Sequence, residues 1–144
     1  MPFRLTVRLL SIIALSIIGC SYPGEDLADT RRAAYQSYHE AVTALGSRDY
    51  SLAEGKFTAA IDLGGLNPDL YADACLKRAI CRGASGKYDE AFADLKKLES
   101  GWLDPDKIFA ARSYILRKQG KAAEARAALA QARRYNRTVQ EFKD

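Results

Sequence analysis

SGKYDEAFADLKKL, residues 85–98, is the stretch on which the fold turns. A short polar turn comes first, then Tyr88, then Ala91 three residues later and Leu95 four further on. On a helix, positions three and four apart share one face, so a small and a large side chain stand on a common stripe. The pattern recurs on both sides of this stretch. SRDYSLAEGKFTAAIDL (47–63) puts Tyr50, Ala53 and Phe57 in the same places, and QGKAAEARAALAQA (119–132) puts Ala122, Ala125 and Leu129 there. The alanines lie 38 and then 34 residues apart, with four extra residues in GGLNPDL (64–70), a loop by composition.

The rest of the chain reads the same way. Alanine is abundant and β-branched residues thin out after residue 20, which favours helix. No segment alternates apolar and polar residues over the length of a strand. NPD at 67–69 and DPD at 104–106 each place a capping side chain, a proline at the first helical position and an acid against the helix dipole. Helices are expected near 27–46, 50–63, 68–84, 88–99, 105–118 and 121–135.

This pattern resembles the tetratricopeptide repeat (TPR), a helix–turn–helix unit of about 34 residues. The resemblance covers about residues 34–135. The second repeat carries it best, with Ala79, Gly86, Tyr88, Ala91 and Leu95; the first has Ala41, Tyr50, Ala53, Phe57 and Ala60, and the third Phe109, Gly120, Ala125, Leu129 and Ala132. Arg48 replaces the usual turn glycine, Ala122 the turn aromatic, and Ser37 and Cys75 stand where a large aromatic is common. The resemblance implies an all-α fold, an α-α superhelix of about three helix-turn-helix units over residues 28–138, followed by a tail at 139–144. Small residues let the helices of a pair approach, so a bulky side chain at Ala91 would overpack the crossing by about 1–3 kcal/mol. A generic antiparallel bundle with coincidental alanines is the plain alternative.

The opening of the chain is of another kind. Arg4 and Arg8 precede an apolar run from Leu9 to Ile18. Ten residues at about 1.5 Å each reach roughly 15 Å, half a bilayer core, which suits the hydrophobic part of a signal peptide. SIIGC (16–20) then resembles the lipobox of bacterial lipoproteins. That resemblance implies a signal peptide over 1–19, a diacylglycerol thioether and further fatty acylation, such as palmitate, on Cys20, and a tether over 20–27. One chain alone holds a membrane reversibly, and two or three make release negligible. The plain alternative is a secretory signal with Cys20 incidental. The tether, fully extended from 21 to 27, would reach about 25 Å, keeping the folded part near the membrane. Ser21 after Cys20 points to the outer membrane, facing the periplasm, in a Gram-negative host.

The chemistry-bearing residues are sparse. His39 is the one histidine, and no nucleophile motif accompanies it. The carboxylates read as scattered over helix surfaces, with no metal-ligand cluster, and the glycine-containing turns lack phosphate-loop spacing. Cys75 and Cys81 lie six apart on one helix, about 120° around it and about 9 Å along it, too far apart to bridge. They read as small buried apolar residues. No enzyme activity, cofactor or metal is expected, and the envelope compartment argues against nucleic acid.

The TPR resemblance implies a concave groove lined by the first helix of each pair. The family's inward positions fall on Tyr35, Tyr38, His39 and Val42, on Asp73, Leu76, Lys77 and Ile80, and on Lys107, Ala110, Tyr114 and Arg117. Such a groove would be aromatic at one end and cationic at the other, fitting a peptide with an apolar and an acidic part. The plain alternative is that these tyrosines only stack into neighbouring helices. One family variant grips a chaperone's C-terminal carboxylate; Lys77 and Lys107 match it only in part. Residues 20–106 hold 10 Lys/Arg against 15 Asp/Glu, a net −5, whereas 107–144 hold 10 against 3, a net +7. Arg126, Arg133, Arg134 and Arg137 form a basic patch on an alanine-rich last helix. Its outer face is left uncovered unless Val139 and Phe142 fold over it, and its small residues permit self-association. The expectation is a membrane-anchored protein–protein interaction adaptor of the bacterial cell envelope. The alternative is a membrane-surface protein whose basic third meets anionic lipid.

Overall fold

The computed structural model describes residues 23–101 and 104–143. The expected leader and Cys20 lie outside them. Among the described residues there are six α-helices and no strand: α1 Pro23–Gly46, α2 Tyr50–Asp62, α3 Pro68–Ala84, α4 Tyr88–Leu98, α5 Pro105–Lys118 and α6 Ala122–Tyr135. None of these helices is long and apolar enough to cross a membrane.

The helices pair as α1 with α2, α3 with α4 and α5 with α6. One turn is built three times. Arg48, Gly86 and Gly120 each adopt the left-handed conformation, with φ of 62°, 81° and 82°. Behind each, the next amide reaches back five residues: Asp49 to the Ala44 carbonyl, Lys87 to Arg82 and Lys121 to Leu116, all at 2.9 Å. The left-handed residues themselves bond three residues back, to Leu45, Gly83 and Arg117. That double closure satisfies carbonyls the helix end would otherwise leave bare. The turns sit at the same 38- and 34-residue spacing as Ala53, Ala91 and Ala125, all buried.

Within each pair the small residues mark the crossing. Ala41 and Ala79 are wholly buried in the first helices, and the third equivalent position holds Ser113. Its hydroxyl donates to the Ala125 carbonyl at 2.8 Å, so a polar side chain fits there without losing a hydrogen bond. Phe57 and Leu95 are fully buried, but Leu129 is only half-buried, because among the described residues no helix follows α6. Between pairs, α3 lies against α2 and α5. Gly83 permits the latter approach, since a Cβ there would come within 2.7 Å of the Ile115 Cγ1. Gly65, in the loop before α3, is held as closely, its missing Cβ 2.7 Å from the Arg31 Cα.

Three expectations are corrected. The helix expected from residue 27 starts at Pro23, so most of the expected tether is helical and its reach shrinks. Proline at the first position and Asp26 in the first turn, near the dipole's positive end, account for that start. Asn67 caps α3, accepting from the Leu70 amide at 2.8 Å, but Asp104 makes no such cap. Its carboxylate pairs with Lys107 at 3.2 Å instead. Asp49, unremarked in the sequence, caps α2 by accepting from the Leu52 amide at 3.0 Å.

The third correction concerns the carboxylates, which are not all on the surface. Asp94 on α4 is wholly buried. Arg78 of α3 meets both its oxygens at 2.8 Å, and Arg82 meets one at 2.8 Å. Arg82 also reaches Glu54 of α2 at 3.1 Å, and Lys87 reaches the other Glu54 oxygen at 2.9 Å. Burial alone would raise the Glu54 pKa, but Lys87 and Arg82 overcome it and hold it below the usual carboxylate range. A polar seam thus joins α2, α3 and α4 through the core.

Candidate functional site

The face shared by α3 and α5 carries Leu76, Ile80, Ala110 and Tyr114, each at most 5% exposed. Tyr114 lies beneath two cations, with the Arg117 guanidinium 5.4 Å and the Lys118 ammonium 5.6 Å from its ring centre. What covers this face is the chain itself. After α6, residues 136–143 leave helical structure and turn back across it.

The reversal starts at Asn136. Its side-chain oxygen Oδ1 accepts from the Thr138 amide at 3.0 Å and hydroxyl at 2.9 Å, closing a local turn. Its amide nitrogen donates to the Asp106 carboxylate at 2.9 Å, and Asp106 is nearly buried in the first turn of α5. Further along, Glu141 pairs with Arg133 at 2.6 Å. Arg117 donates to the Phe142 carbonyl at 2.6 Å, and the Phe142 ring stands edge-on to Tyr114 with centroids 6.5 Å apart. The expected cover for α6 is therefore absent: Phe142 packs against the core made by α3, α4 and α5. The apolar surface of Leu76, Ile80 and Tyr114 is a better partner for a phenyl ring than the alanines of α6.

Two cavities flank that ring. One, of about 350 Å³, opens between α3, α5 and the tail and is lined by Asp73, Leu76, Lys107 and Val139 among others. The other, of about 280 Å³, reaches from Phe142 and Tyr114 past Ile80 to Leu45 and Tyr50. Lys77 lines both.

Lys77 also belongs to a junction between α1 and α3. The Tyr38 hydroxyl donates to Asp73, and the Lys77 ammonium donates to the same carboxylate at 2.6 Å and to the Tyr38 oxygen at 3.3 Å. Burial and the Asp73 bond raise the Tyr38 pKa above its ordinary value. Burial works against the charged Lys77, but Asp73 outweighs it and the ammonium is held above its ordinary range. At neutral pH the Tyr38 phenol is thus neutral and the Lys77 ammonium charged.

The sequence candidates divide accordingly. Asp73, Leu76, Lys77, Ile80, Lys107, Ala110, Tyr114 and Arg117 converge around the tail. Tyr38 is 7% exposed and joins two helices, and Tyr35 accepts from Asn67 at 3.3 Å beside the loop. His39 is exposed and lines a shallow depression on the α1–α2 side with Leu52 and Lys56, while Val42 packs within that pair. Of the basic patch, Arg126 and Arg137 are exposed, Arg134 donates to Gln131 at 3.4 Å and Arg133 is taken by Glu141. Cys75 and Cys81 are buried thiols. Among the described residues no group of three His, Cys, Asp or Glu side chains is placed to hold a metal ion.

Sequence reasoning missed Asp106, Asn136 and the tail as part of this site. The one local sign was Asn136 two residues before Thr138, a spacing that favours a side-chain-closed turn. No family model, no curated protein and no solved structure matches the chain.

Proposed function

We propose that this protein is a membrane-anchored adaptor of the bacterial cell envelope that binds a partner protein or peptide. In this reading the three helix pairs are TPR units stacked as an α-α superhelix, and the first helices of the pairs supply the binding face. The supporting observation is the face of α3 and α5, where apolar side chains, an aromatic ring and cations converge beside two cavities. Interfaces draw most of their affinity from such aromatic and arginine anchors. Fatty acylation at Cys20, following removal of residues 1–19, would hold this face close to the outer membrane on its periplasmic side. The assignment to that compartment rests on the SIIGC motif.

Two experiments test the two halves. For the anchor, mass spectrometry of the membrane-extracted chain should find a diacylglycerol-modified Cys20 at the amino terminus, and Cys20→Ser should move the chain to the soluble fraction. An unmodified thiol on an intact leader would remove that half. For the face, crosslinked pull-downs from membranes should recover a partner with the native chain and lose it with Lys107→Ala/Arg117→Ala, whose side chains are exposed and outside the core. Equal recovery would remove the binding half. The alternative, lipid contact by the α6 arginines, predicts binding to anionic vesicles that collapses at high salt and ignores the Lys107/Arg117 pair.

A further inference from the structure

We infer that residues 138–143 are a built-in competitor for the partner-binding face, and that the partner is an extended peptide with an aromatic residue directly after an acidic one. This deepens the reading above and rests on it. The tail contributes no helix or strand to the fold. It is held as a bound peptide is held. Phe142 inserts an aromatic anchor between two cavities, Arg117 grips its backbone carbonyl, Arg133 takes the preceding carboxylate, and Val139 lines the larger cavity three residues upstream. These contacts recognise the order apolar, spacer, acid, aromatic, which the chain supplies as Val139, Gln140, Glu141 and Phe142. The two cavities, about 350 and 280 Å³, leave room beside the ring for a larger aromatic than phenylalanine.

Thr138, Gln140 and Lys143 stay exposed, and Val139, Glu141 and Phe142 are only half-buried, so release strips little from the core. The short connection from Asn136 gives the tail an effective concentration of about millimolar at its own site. A partner must overcome that, and its apparent affinity falls by the fraction of molecules with the face open.

The test uses the full chain and a fluorescent synthetic peptide TVQEFKD, residues 138–144. Phe142→Ala should bind the peptide at least tenfold more tightly than the native chain, and the peptide TVQEAKD should not bind either. Asn136→Ala, which frees the tail from Asp106 and changes no residue of α3 or α5, should give the same gain. It decides the matter if circular dichroism shows that Phe142→Ala has lost its helices. Equal affinity of native chain and variants would overturn the competitor and leave the adaptor reading standing. No binding by either variant would overturn the aromatic-peptide assignment, while the adaptor reading would still stand or fall on the pull-down. Native dimers by light scattering that vanish in Phe142→Ala would reassign the occupant to a second copy's tail and overturn the inference.

Discussion

Arg48 shows what repetition asks of one position. Its φ of 62° is the one positive value among the described non-glycine residues, and glycine fills the two equivalent turns. A left-handed conformation costs an ordinary residue about 1–2 kcal/mol, part of which glycine gives back through its freer unfolded chain. Arg48→Gly should therefore raise stability by about 0.5–1 kcal/mol, and Gly86→Ala should lower it by about 1 kcal/mol. Urea midpoints should move in opposite directions with unchanged slopes. The cysteines make a second case. Burial pushes the Cys81 thiol up to about 12 and raises that of Cys75. The unfolded chain releases these protons from about pH 8.5, before the folded one does. Stability is thus full below that value and falls as pH rises toward 12. Denaturation series at pH 7, 9 and 10 should show the decline, and Cys81→Ala should make it shallower.

Helices α2, α3 and α4 are tied by a charge that hydropathy patterns would place at the surface. Asp94 is enclosed by Arg78 and Arg82, with Lys97 at 3.5 Å. Removing one partner of a buried ion pair leaves the other without compensation, at about 3–5 kcal/mol. Asp94→Asn should lower the thermal midpoint by that large margin, and the Asp94→Leu/Arg78→Leu pair should cost less than Asp94→Asn alone. If Asp94→Asn melts like the native chain, the seam is not a structural tie. The helix limits were legible because caps, prolines and turn glycines act within a few residues. Four of the six helices start where the sequence placed them and end within one residue. The Asp94 seam was not legible, because it joins residues 12 and 16 apart whose faces are set by packing.

The stack is uneven along its length. Helix α3 is covered by α2, α4 and α5, whereas α6 packs chiefly on α5, touched by Phe92 of α4, and leaves Leu129 half-buried. Each helix is stabilised by those packed against it, so the least covered one opens most readily. Native-state hydrogen exchange should find the slowest amides in α3 and the fastest helical amides in α6. The reverse order would mean that something covers α6 in solution. Because α6 leads into the tail, a loosely held last helix also makes the face of α3 and α5 easier to clear.

Local chemistry was enough to read six helices, three equivalent turns and the small-residue crossings from the chain alone, since each depends on side chains a turn or two apart. Where the tail goes depends on which apolar surface remains after the helices have paired. Packing left Leu76, Ile80 and Tyr114 facing outward beside Asp106, and Asn136 and Phe142 closed over them. That outcome belongs to contacts some 30 residues apart, which periodicity does not encode.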